Sequence, residues 1–342
     1  MAQIRYQVKK AVTTVKTPKA AQRYDLSECL PGEKVLIVRR YGGLGDMLII
    51  TQIFPELIGR YAHLRFSFSC PVEYHELFTD CQGLELLDFN RLESYRFDFN
   101  YLVDISTPCH IWENLFVRNK HALLWRNRLN IWAEWIGYRP EAPVSCLSLA
   151  ERELTSAEER IKSTARHKFE PKRIGFAPLS HLWCKDLQDY EGIYQDLENL
   201  GYEPYYIHYK SMPGRQIKGE SYRELGALLA RMDLLLTVDT SVLHWGGVLG
   251  IPTIGLFSMN DGAAYGKYYP SVRQEQWCPT PCIAHGVYRC SRRLLNRYCY
   301  GGVEEIRKKT VKLADQFFKG RIHEGSASAE KQYLWPGVPG KA

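Results

Sequence analysis

The sequence predicts an α/β protein with two Rossmann-like, doubly wound parallel-sheet domains that face a central cleft. Short apolar runs alternate with helix-like stretches along most of the 342 residues, a pattern typical of βαβ units. This length is long for one doubly wound sheet and suits two. A charged, helix-prone stretch ends at 169–171, and we place the domain boundary there. The predicted parts are a basic N-terminal arm (1–30), an N-terminal domain (31–168), a C-terminal domain (169–322) with a Cys-rich loop (277–300), and a flexible tail (323–342).

The composition is that of a globular protein, with 45% hydrophobic and 24% charged residues. No apolar stretch approaches the roughly 20 residues that a membrane helix needs, and the N-terminus shows no secretory signal. We therefore expect a cytoplasmic protein without a transmembrane segment. The arm 1–30 contributes +4 to the net charge of +7. It is either a solvated segment or one that contacts an anionic partner, such as nucleic acid or a membrane surface.

The first predicted strand, 35–38, leads into a glycine-rich turn and a helix. Gly42, Gly43 and Gly45 allow a sharp turn and leave room for a ligand. Such a βα turn, at the carboxyl end of a parallel strand, is where open α/β sheets bind ligands. Asp46 follows at the helix start, where it either caps the helix or presents a carboxylate to the cleft.

This turn departs from the dinucleotide-binding fingerprint in two ways. Leu48 stands where the third glycine is expected. The next predicted strand, 64–69, is followed by Cys70 and Pro71 rather than by an acidic residue that could bind a ribose. Both departures disfavour a nicotinamide-dependent enzyme.

The remaining elements follow the same alternation in both halves. In the first half we predict strands at 84–88 and 101–105 and a helix at 122–137 that stops at a glycine. In the second half we predict strands at 173–177, 205–208, 234–238 and 253–257, and helices at 190–200, 222–232 and 241–249.

One strand–helix junction of the second half predicts an anion site. The strand 234–238 stops at Asp239, and the next helix starts at Thr240 and Ser241, with His244 one turn further on. Free backbone N–H groups and the positive end of the helix dipole favour a phosphate there. The alternative is an N-capped helix in the core whose histidine has a protein partner.

Two motifs resemble the bacterial heptosyltransferase family, the relatives of ADP-heptose:lipopolysaccharide heptosyltransferases. The first is Gly-Gly-Leu-Gly-Asp-Met-Leu at 42–48, with Pro55 after the first helix. The second is Asp-Thr-Ser-Val-Leu-His at 239–244, followed by Leu-Gly-Ile-Pro-Thr and Gly-Leu-Phe. Ser241 and Ser258 replace two glycines of the family pattern. The resemblance spans about 34–320.

This resemblance implies the GT-B fold and an inverting glycosyltransferase. Such an enzyme moves a heptose or hexose from a nucleotide-diphosphate sugar to a hydroxyl acceptor and requires no catalytic metal. By resemblance, the N-terminal domain holds the acceptor and the C-terminal domain the donor. Asp46 would be the general base and Lys185 would contact the donor phosphates, although Lys185 could also be a solvated surface lysine. The other donor-binding candidates are Asp239, Thr240, Ser241 and His244.

A group of cysteines lies in a proline-containing stretch with the spacing C-x3-C-x7-C-x8-C. Four thiolates so close in sequence can form a tetrahedral site, and we expect either a structural Zn or Fe ion or reduced, packed cysteines. One protein-modifying branch of the family that this chain resembles holds iron with four cysteines. The candidate metal ligands are Cys278, Cys282, Cys290 and Cys299.

Aromatic and basic residues alternate within 110–139, a composition that suits stacking on sugars or bases beside phosphate contacts. The alternative is an amphipathic helix with its tryptophans in the core. The acceptor-side candidates are Arg118, Trp125, Arg126 and Arg128. The expected acceptor is a surface glycan or lipopolysaccharide core, with peripheral membrane contact. A hydroxylated DNA base or a protein side chain is the alternative acceptor, and a non-catalytic nucleotide-sugar or metal-binding module is the alternative of another class.

Overall fold

The computed structural model describes residues 26–111, 126–164, 171–181, 185–258, 260–277, 283–284, 287–288 and 302–320. The predicted arm is described only from residue 26 onward, and the predicted tail lies outside these residues. The part of the predicted helix 122–137 that precedes residue 126 also lies outside them.

The first half is built on a four-stranded parallel sheet with the order β3-β2-β1-β4. Its central strand β1 is buried from its second residue on, because helices and segments cover both faces of the sheet. The strands are β1 (Lys34–Val38), β2 (Arg65–Cys70), β3 (Leu84–Asp88) and β4 (Tyr101–Asp104).

The second half is built on a six-stranded parallel sheet with the order β10-β9-β8-β5-β6-β7. Numbered within this half, that order is 3-2-1-4-5-6 read from the other edge, which is the strand order of a Rossmann fold. The strands are β5 (Arg173–Ala177), β6 (Glu203–Ile207), β7 (Gln216–Ile217), β8 (Leu234–Val238), β9 (Thr253–Phe257) and β10 (Val272–Gln276). A separate antiparallel pair is formed by β11 (Ile283–Ala284) and β12 (Val287–Tyr288).

Helices connect the strands, as the alternation in the sequence predicts. In the first half they are α1 (Leu44–Ile50), α2 (Phe54–Arg60), α3 (Leu92–Tyr95) and α4 (Arg128–Ile136). The helix α5 (Glu151–Thr164) precedes the second sheet. The helices after the start of that sheet are α6 (Tyr190–Asn199), α7 (Tyr222–Leu229), α8 (Ser241–Leu249), α9 (Gly262–Gly266) and α10 (Val303–Phe318). None of the described helices has the length and apolarity needed to cross a membrane.

The two halves share one continuous core. Met47 and Leu48 of α1 belong to the same group of buried apolar side chains as Leu228 of α7 and Trp245 of α8. The helix α5, which precedes the predicted boundary at 168/169, packs against α7 of the second half. That boundary therefore stays a prediction.

Candidate active site

Two points of the fold, one in each sheet, face a single cavity. In each sheet the direction of winding reverses between two neighbouring strands, β1 and β4 in the first and β5 and β8 in the second. Open α/β sheets bind ligands at the carboxyl ends of the strands at such points. The cavity between the two halves has a volume of about 790 Å³. Its lining includes Asp46 and Arg128 from the first half and Lys185, Asp239 and His244 from the second.

The glycine-rich turn brings α1 close to two neighbours. Gly42 has φ 153°, and a Cβ there would lie 2.8 Å from an Arg39 guanidinium nitrogen. A Cβ on Gly45 would lie 2.8 Å from Cδ2 of His244, so that α1 and α8 can approach only because Gly45 has no side chain. Gly43 precedes α1 and has open space around it. Two of the three predicted glycines are therefore required by close packing.

Asp46 is held by two arginines rather than used as a helix cap. Arg39 Nη2 donates to Oδ2 of Asp46 at 2.7 Å, and Arg128 Nη1 donates to Oδ1 at 2.5 Å. Gly43 is the N-cap of α1, so Asp46 is not the N-cap residue and stands in the first turn. With 12% of its side chain exposed, the carboxylate lies in the cavity wall between two cations that stabilise its negative charge.

Arg39 is a fixed part of this arrangement. Its Nη1 donates to the backbone oxygens of Ile105 and Ser106, both at 2.9 Å, and these residues follow β4. The guanidinium also lies 4.9 Å from the ring centroid of Trp132, and the side chain is 3% exposed. The arginine thus ties the ends of β1 and β4 to Asp46.

The start of α8 has the geometry of an anion site. Thr240 is the N-cap, and its hydroxyl accepts from the backbone N–H of Val242 at 3.2 Å. Thr240 and Ser241 line the cavity, so the N-terminal end of the helix faces the space where a ligand would lie. The backbone of Ser241 is also next to Gly45, which brings this helix start beside Asp46.

Lys185, in the segment that follows β5, forms an ion pair with Asp239, the residue directly after β8. Lys185 Nζ lies 2.6 Å from Asp239 Oδ2, and Asn260 Nδ2 donates to the same oxygen. Burial acts to raise the pKa of Asp239, but the Lys185 ammonium and the two hydrogen bonds outweigh it and hold the pKa below its ordinary value. Because the Lys185 side chain is only 15% exposed, it is not a solvated surface lysine.

His244 is buried and has a protein partner. Its Nδ1 lies 3.2 Å from the hydroxyl of Tyr269, which also accepts from Gln52 of the first half at 3.1 Å. Burial lowers the pKa of His244 to about 4, and the charges of Arg128 and Lys185 act in the same direction. The imidazole is therefore neutral at pH 7, and among the described residues it makes no hydrogen bond to Asp239.

The acceptor-side candidates are only partly described. Arg126 is paired with Glu134 of α4, and Arg128 reaches the cavity, where its guanidinium lies 6.0 Å from the ring centroid of Tyr265. Arg118 and Trp125 lie outside the described residues. So do Cys278, Cys282, Cys290 and Cys299.

The metal site therefore stays a prediction. In the described ranges, no three histidine, cysteine or acidic side chains are grouped so as to hold an ion. The four candidate cysteines are not within those ranges.

The chain is similar to known proteins in its three-dimensional fold. No family model and no curated protein sequence matches the chain. A glycosyltransferase family 9 structure from Veillonella parvula DSM 2008 matches with a TM-score of 0.56 at 15% identity, over 72% of this chain and 86% of that one. The E. coli ADP-heptose lipopolysaccharide heptosyltransferase II matches with a TM-score of 0.55 at 13% sequence identity, over 82% of this chain and 99% of that one.

A third match is the dodecameric iron-containing heptosyltransferase TibC, from enterotoxigenic E. coli H10407, in complex with ADP-D-beta-D-heptose. Its TM-score is 0.58 at 13% identity, over 86% of this chain and 78% of that one. The chain has the GT-B fold. The predicted architecture of two Rossmann-like domains facing a cleft is confirmed.

Several residues in or next to the cavity wall were not among the sequence candidates. Arg39 and Asn260 each stand just beyond a buried strand, a position that marks the binding edge of a parallel sheet and could have singled them out. Tyr265 and Tyr269 carry no such signal, since they lie in and after a short helix. The contact of Tyr265 with Arg128 arises only when the two halves meet, whereas Tyr269 reaches His244 within the second half.

Proposed function

We propose that the protein is an inverting glycosyltransferase that uses a nucleotide-diphosphate sugar. The observation that carries this proposal is that Asp46 of the first half, and Lys185 and the start of α8 of the second, line one cavity between two Rossmann-like halves. A carboxylate and a phosphate site around one cavity are the two groups that sugar transfer requires. The fold supports the proposal, since the matched structures include glycosyltransferases and one of them contains ADP-heptose.

The proposed reaction is a single displacement. Asp46 removes the proton from the acceptor hydroxyl while that oxygen attacks the anomeric carbon of the donor. The bond between the anomeric carbon and the phosphate oxygen breaks, and the nucleoside diphosphate leaves with the bonding pair. Lys185 and the backbone N–H groups of Thr240 and Ser241 stabilise its charge, so no metal is needed for this role. The configuration at the anomeric carbon inverts.

A surface glycan or lipopolysaccharide core is the proposed acceptor, bound by the N-terminal half on the side of Arg126. A hydroxylated DNA base and a protein side chain remain the alternatives with the same chemistry. Binding to duplex DNA that weakens steeply with salt would favour the nucleic-acid acceptor. A structural Zn or Fe ion at the four cysteines is part of the same proposal, with no role in the transfer step.

The first test of this proposal is stabilisation by nucleotides. We expect ADP, UDP, GDP or CDP at millimolar concentration to raise the thermal midpoint, because a ligand of the folded state adds about 2.7 kcal/mol at a hundredfold excess over Kd. Lys185→Met should reduce this shift, since the diphosphate loses a buried cation. The measurement is a thermal unfolding series with each nucleotide and with its sugar conjugates.

The matched control is Lys172→Met. Lys172 also faces an aspartate, Asp233, at 3.4 Å, but its side chain is 61% exposed and it does not line the cavity. This variant should keep the full nucleotide shift. If no nucleotide or nucleotide sugar stabilises the wild-type protein, the donor site is wrong.

The base assignment is tested by Asp46→Asn. We expect the rate of sugar transfer, or of donor hydrolysis when water is the acceptor, to fall by about 10²- to 10⁴-fold, because the amide cannot take a proton. Nucleotide affinity should not be lost. Asp104→Asn is the control, since Asp104 lies at the same edge of the first sheet, pairs with Arg40 at 2.7 Å and does not line the cavity.

Equal activity of Asp46→Asn and wild type would exclude Asp46 as the base. Nucleotide binding without any transfer or hydrolysis, in wild type as in variant, would instead support a non-catalytic nucleotide-sugar module.

A further inference from the structure

Both oxygens of the proposed base are occupied by cations. Asp46 Oδ2 is 2.7 Å from Arg39, and Oδ1 is 2.5 Å from Arg128. A carboxylate oxygen that accepts from a guanidinium is stabilised as an anion and is a weak acceptor for a further proton. The arrangement therefore holds Asp46 in place but does not leave it ready to deprotonate a hydroxyl. Moving one of the two cations away would make Asp46 a stronger proton acceptor.

The two arginines differ in their position relative to the cavity. Arg39 is bound to the backbone oxygens of Ile105 and Ser106 and stacks over Trp132, so its guanidinium is part of the framework. Arg128 stands at the first residue of α4, and its side chain forms part of the cavity wall. Of the two, Arg128 is the one that a ligand in the cavity can reach.

The proposed phosphate site lies close to Arg128. Gly45, the residue before Asp46, touches both Ser241 and His244 of α8, so Arg128 on Asp46 is beside the start of that helix. The charge of Arg128 also acts on His244, where it lowers the pKa. A diphosphate at the start of α8 would thus lie where Asp46 and the phosphates compete for one guanidinium.

The start of α4 is also anchored to the second half. Asn127, the N-cap of α4, donates through Nδ2 to the backbone oxygen of Ala264 at 2.7 Å, and Tyr265 lies beneath the guanidinium of Arg128. These contacts keep the backbone of Arg128 at the cavity.

Building on the proposed function, we propose that Arg128 is shared between Asp46 and the donor. Without donor it pairs with Asp46; when the nucleotide-diphosphate sugar binds, its guanidinium moves to the diphosphate and frees Oδ1 of Asp46 for the acceptor hydroxyl. Donor binding thereby prepares the base, while Arg39 continues to orient it. Arg128 is then a donor-binding residue and a positioning residue for Asp46, in place of the acceptor contact expected from the sequence.

The test is a double-mutant cycle on nucleotide affinity, measured by calorimetry with ADP, UDP, GDP and CDP in turn. Arg128→Met should weaken the binding of the nucleotide by about tenfold, the loss of one charge-assisted hydrogen bond. Asp46→Asn should tighten it by about three- to tenfold, because the diphosphate no longer competes with a carboxylate for Arg128. In the Arg128→Met background, the effect of Asp46→Asn should disappear.

This last comparison separates competition from simple charge repulsion. If Asp46→Asn tightens binding equally in both backgrounds, the effect is that of removing a nearby negative charge, and the sharing of Arg128 is wrong. An unchanged affinity in Asp46→Asn would also overturn it. The isosteric Asp46→Asn variant tests the proposal by itself should Arg128→Met fail to fold, and Arg128→Lys keeps the charge at the same position.

A matched pair supplies the control cycle. Arg40 and Asp104 form a similar ion pair of 2.7 Å at the same sheet edge, and neither lines the cavity. Arg40→Met, Asp104→Asn and their combination should leave nucleotide affinity unchanged. If the wild-type protein binds none of the four nucleotides, the proposed function itself fails; if it binds one and the cycle is additive, only the role of Arg128 fails.

Discussion

His244 illustrates at the scale of one residue how burial sets chemistry. The ring is 5% exposed, packs against Gly45 of the other half and shares a hydrogen bond with Tyr269. Desolvation disfavours the imidazolium, and the pKa falls from 6.5 to about 4. From the sequence alone, this histidine could be either a donor ligand or a core residue. It lies in the core and also borders the cavity.

This pKa predicts a pH dependence of stability. Between pH 6.5 and about pH 4 the unfolded chain takes up a proton on His244 and the folded protein does not, so stability falls as the pH falls. The contribution is on the order of 3 kcal/mol. We expect His244→Gln to remove this part of the slope, as measured by urea unfolding at half-unit steps from pH 4 to pH 7.

The control for this measurement is His63→Gln. His63 is exposed, and we expect its replacement to leave the slope of the wild-type protein in place. If wild type and His244→Gln lose stability in parallel as the pH falls, the buried imidazole does not have the lowered pKa.

At the scale of elements, the site depends on how closely α1 approaches α8. Each helix follows a strand at a point where its sheet reverses direction, and each brings its N-terminal end to the cavity. Gly45 lies at their crossing, with no room for a Cβ beside His244. Asp46 and Ser241 are therefore brought together by a helix contact that a single missing side chain allows.

Replacing this glycine should separate the helices. We expect Gly45→Ala to lower the free energy of unfolding by about 1 to 3 kcal/mol, because a methyl group must displace a buried ring. Nucleotide affinity should fall as well, since the start of α8 moves. Urea unfolding and calorimetry measure the two effects.

Gly59→Ala is the matched control within a neighbouring helix. Gly59 lies in α2, and a Cβ there meets no atom within 4 Å. This substitution should be neutral or stabilise the protein by up to about 1 kcal/mol, because alanine favours helix. A Gly45→Ala protein that is as stable as Gly59→Ala would contradict the close contact.

At the scale of the whole molecule, Arg223 joins the two halves at a second place. It stands in α7, and its guanidinium donates to Asp80 at 2.7 Å, to both oxygens of Glu153 at 2.8 Å and to the backbone oxygen of Ser148 at 2.7 Å. Nearby, the backbone N–H of Tyr222 donates to Glu76 at 2.7 Å. These bonds hold the first half against the second, and the side chain of Arg223 does not line the cavity.

Loss of this junction should weaken the whole fold. We expect Arg223→Met to lower the free energy of unfolding by about 2 kcal/mol, because a half-buried cation leaves several acceptors without their donor. Arg60→Met is the control: Arg60 also pairs with two carboxylates, Glu56 and Glu141, but within the first half and with 38% of its side chain exposed. Its replacement should change stability by less than about 0.5 kcal/mol. Equal losses in urea unfolding would mean that Arg223 does not join the halves.

Much of the architecture could be predicted because its signals are local. The strands 173–177, 234–238 and 253–257 have the predicted bounds, since each is an apolar run buried on both faces of a sheet. The strand 272–276 gave no such run: it lies at the sheet edge, and Val272 is its sole fully buried residue. Apolar pattern reveals central strands and misses polar edge strands.

The sequence alone determined the fold class, the glycine-rich turn, and the positions of Asp46 and Asp239 at strand–helix junctions. These follow from propensity, apolar spacing and turn chemistry within a few neighbouring residues. Only the tertiary structure decided that Arg39 and Arg128 hold Asp46, that Lys185 pairs with Asp239, and that Gly45 meets His244. Such contacts join residues far apart in the chain, and they depend on strand order and on how the two halves close, which no local pattern encodes.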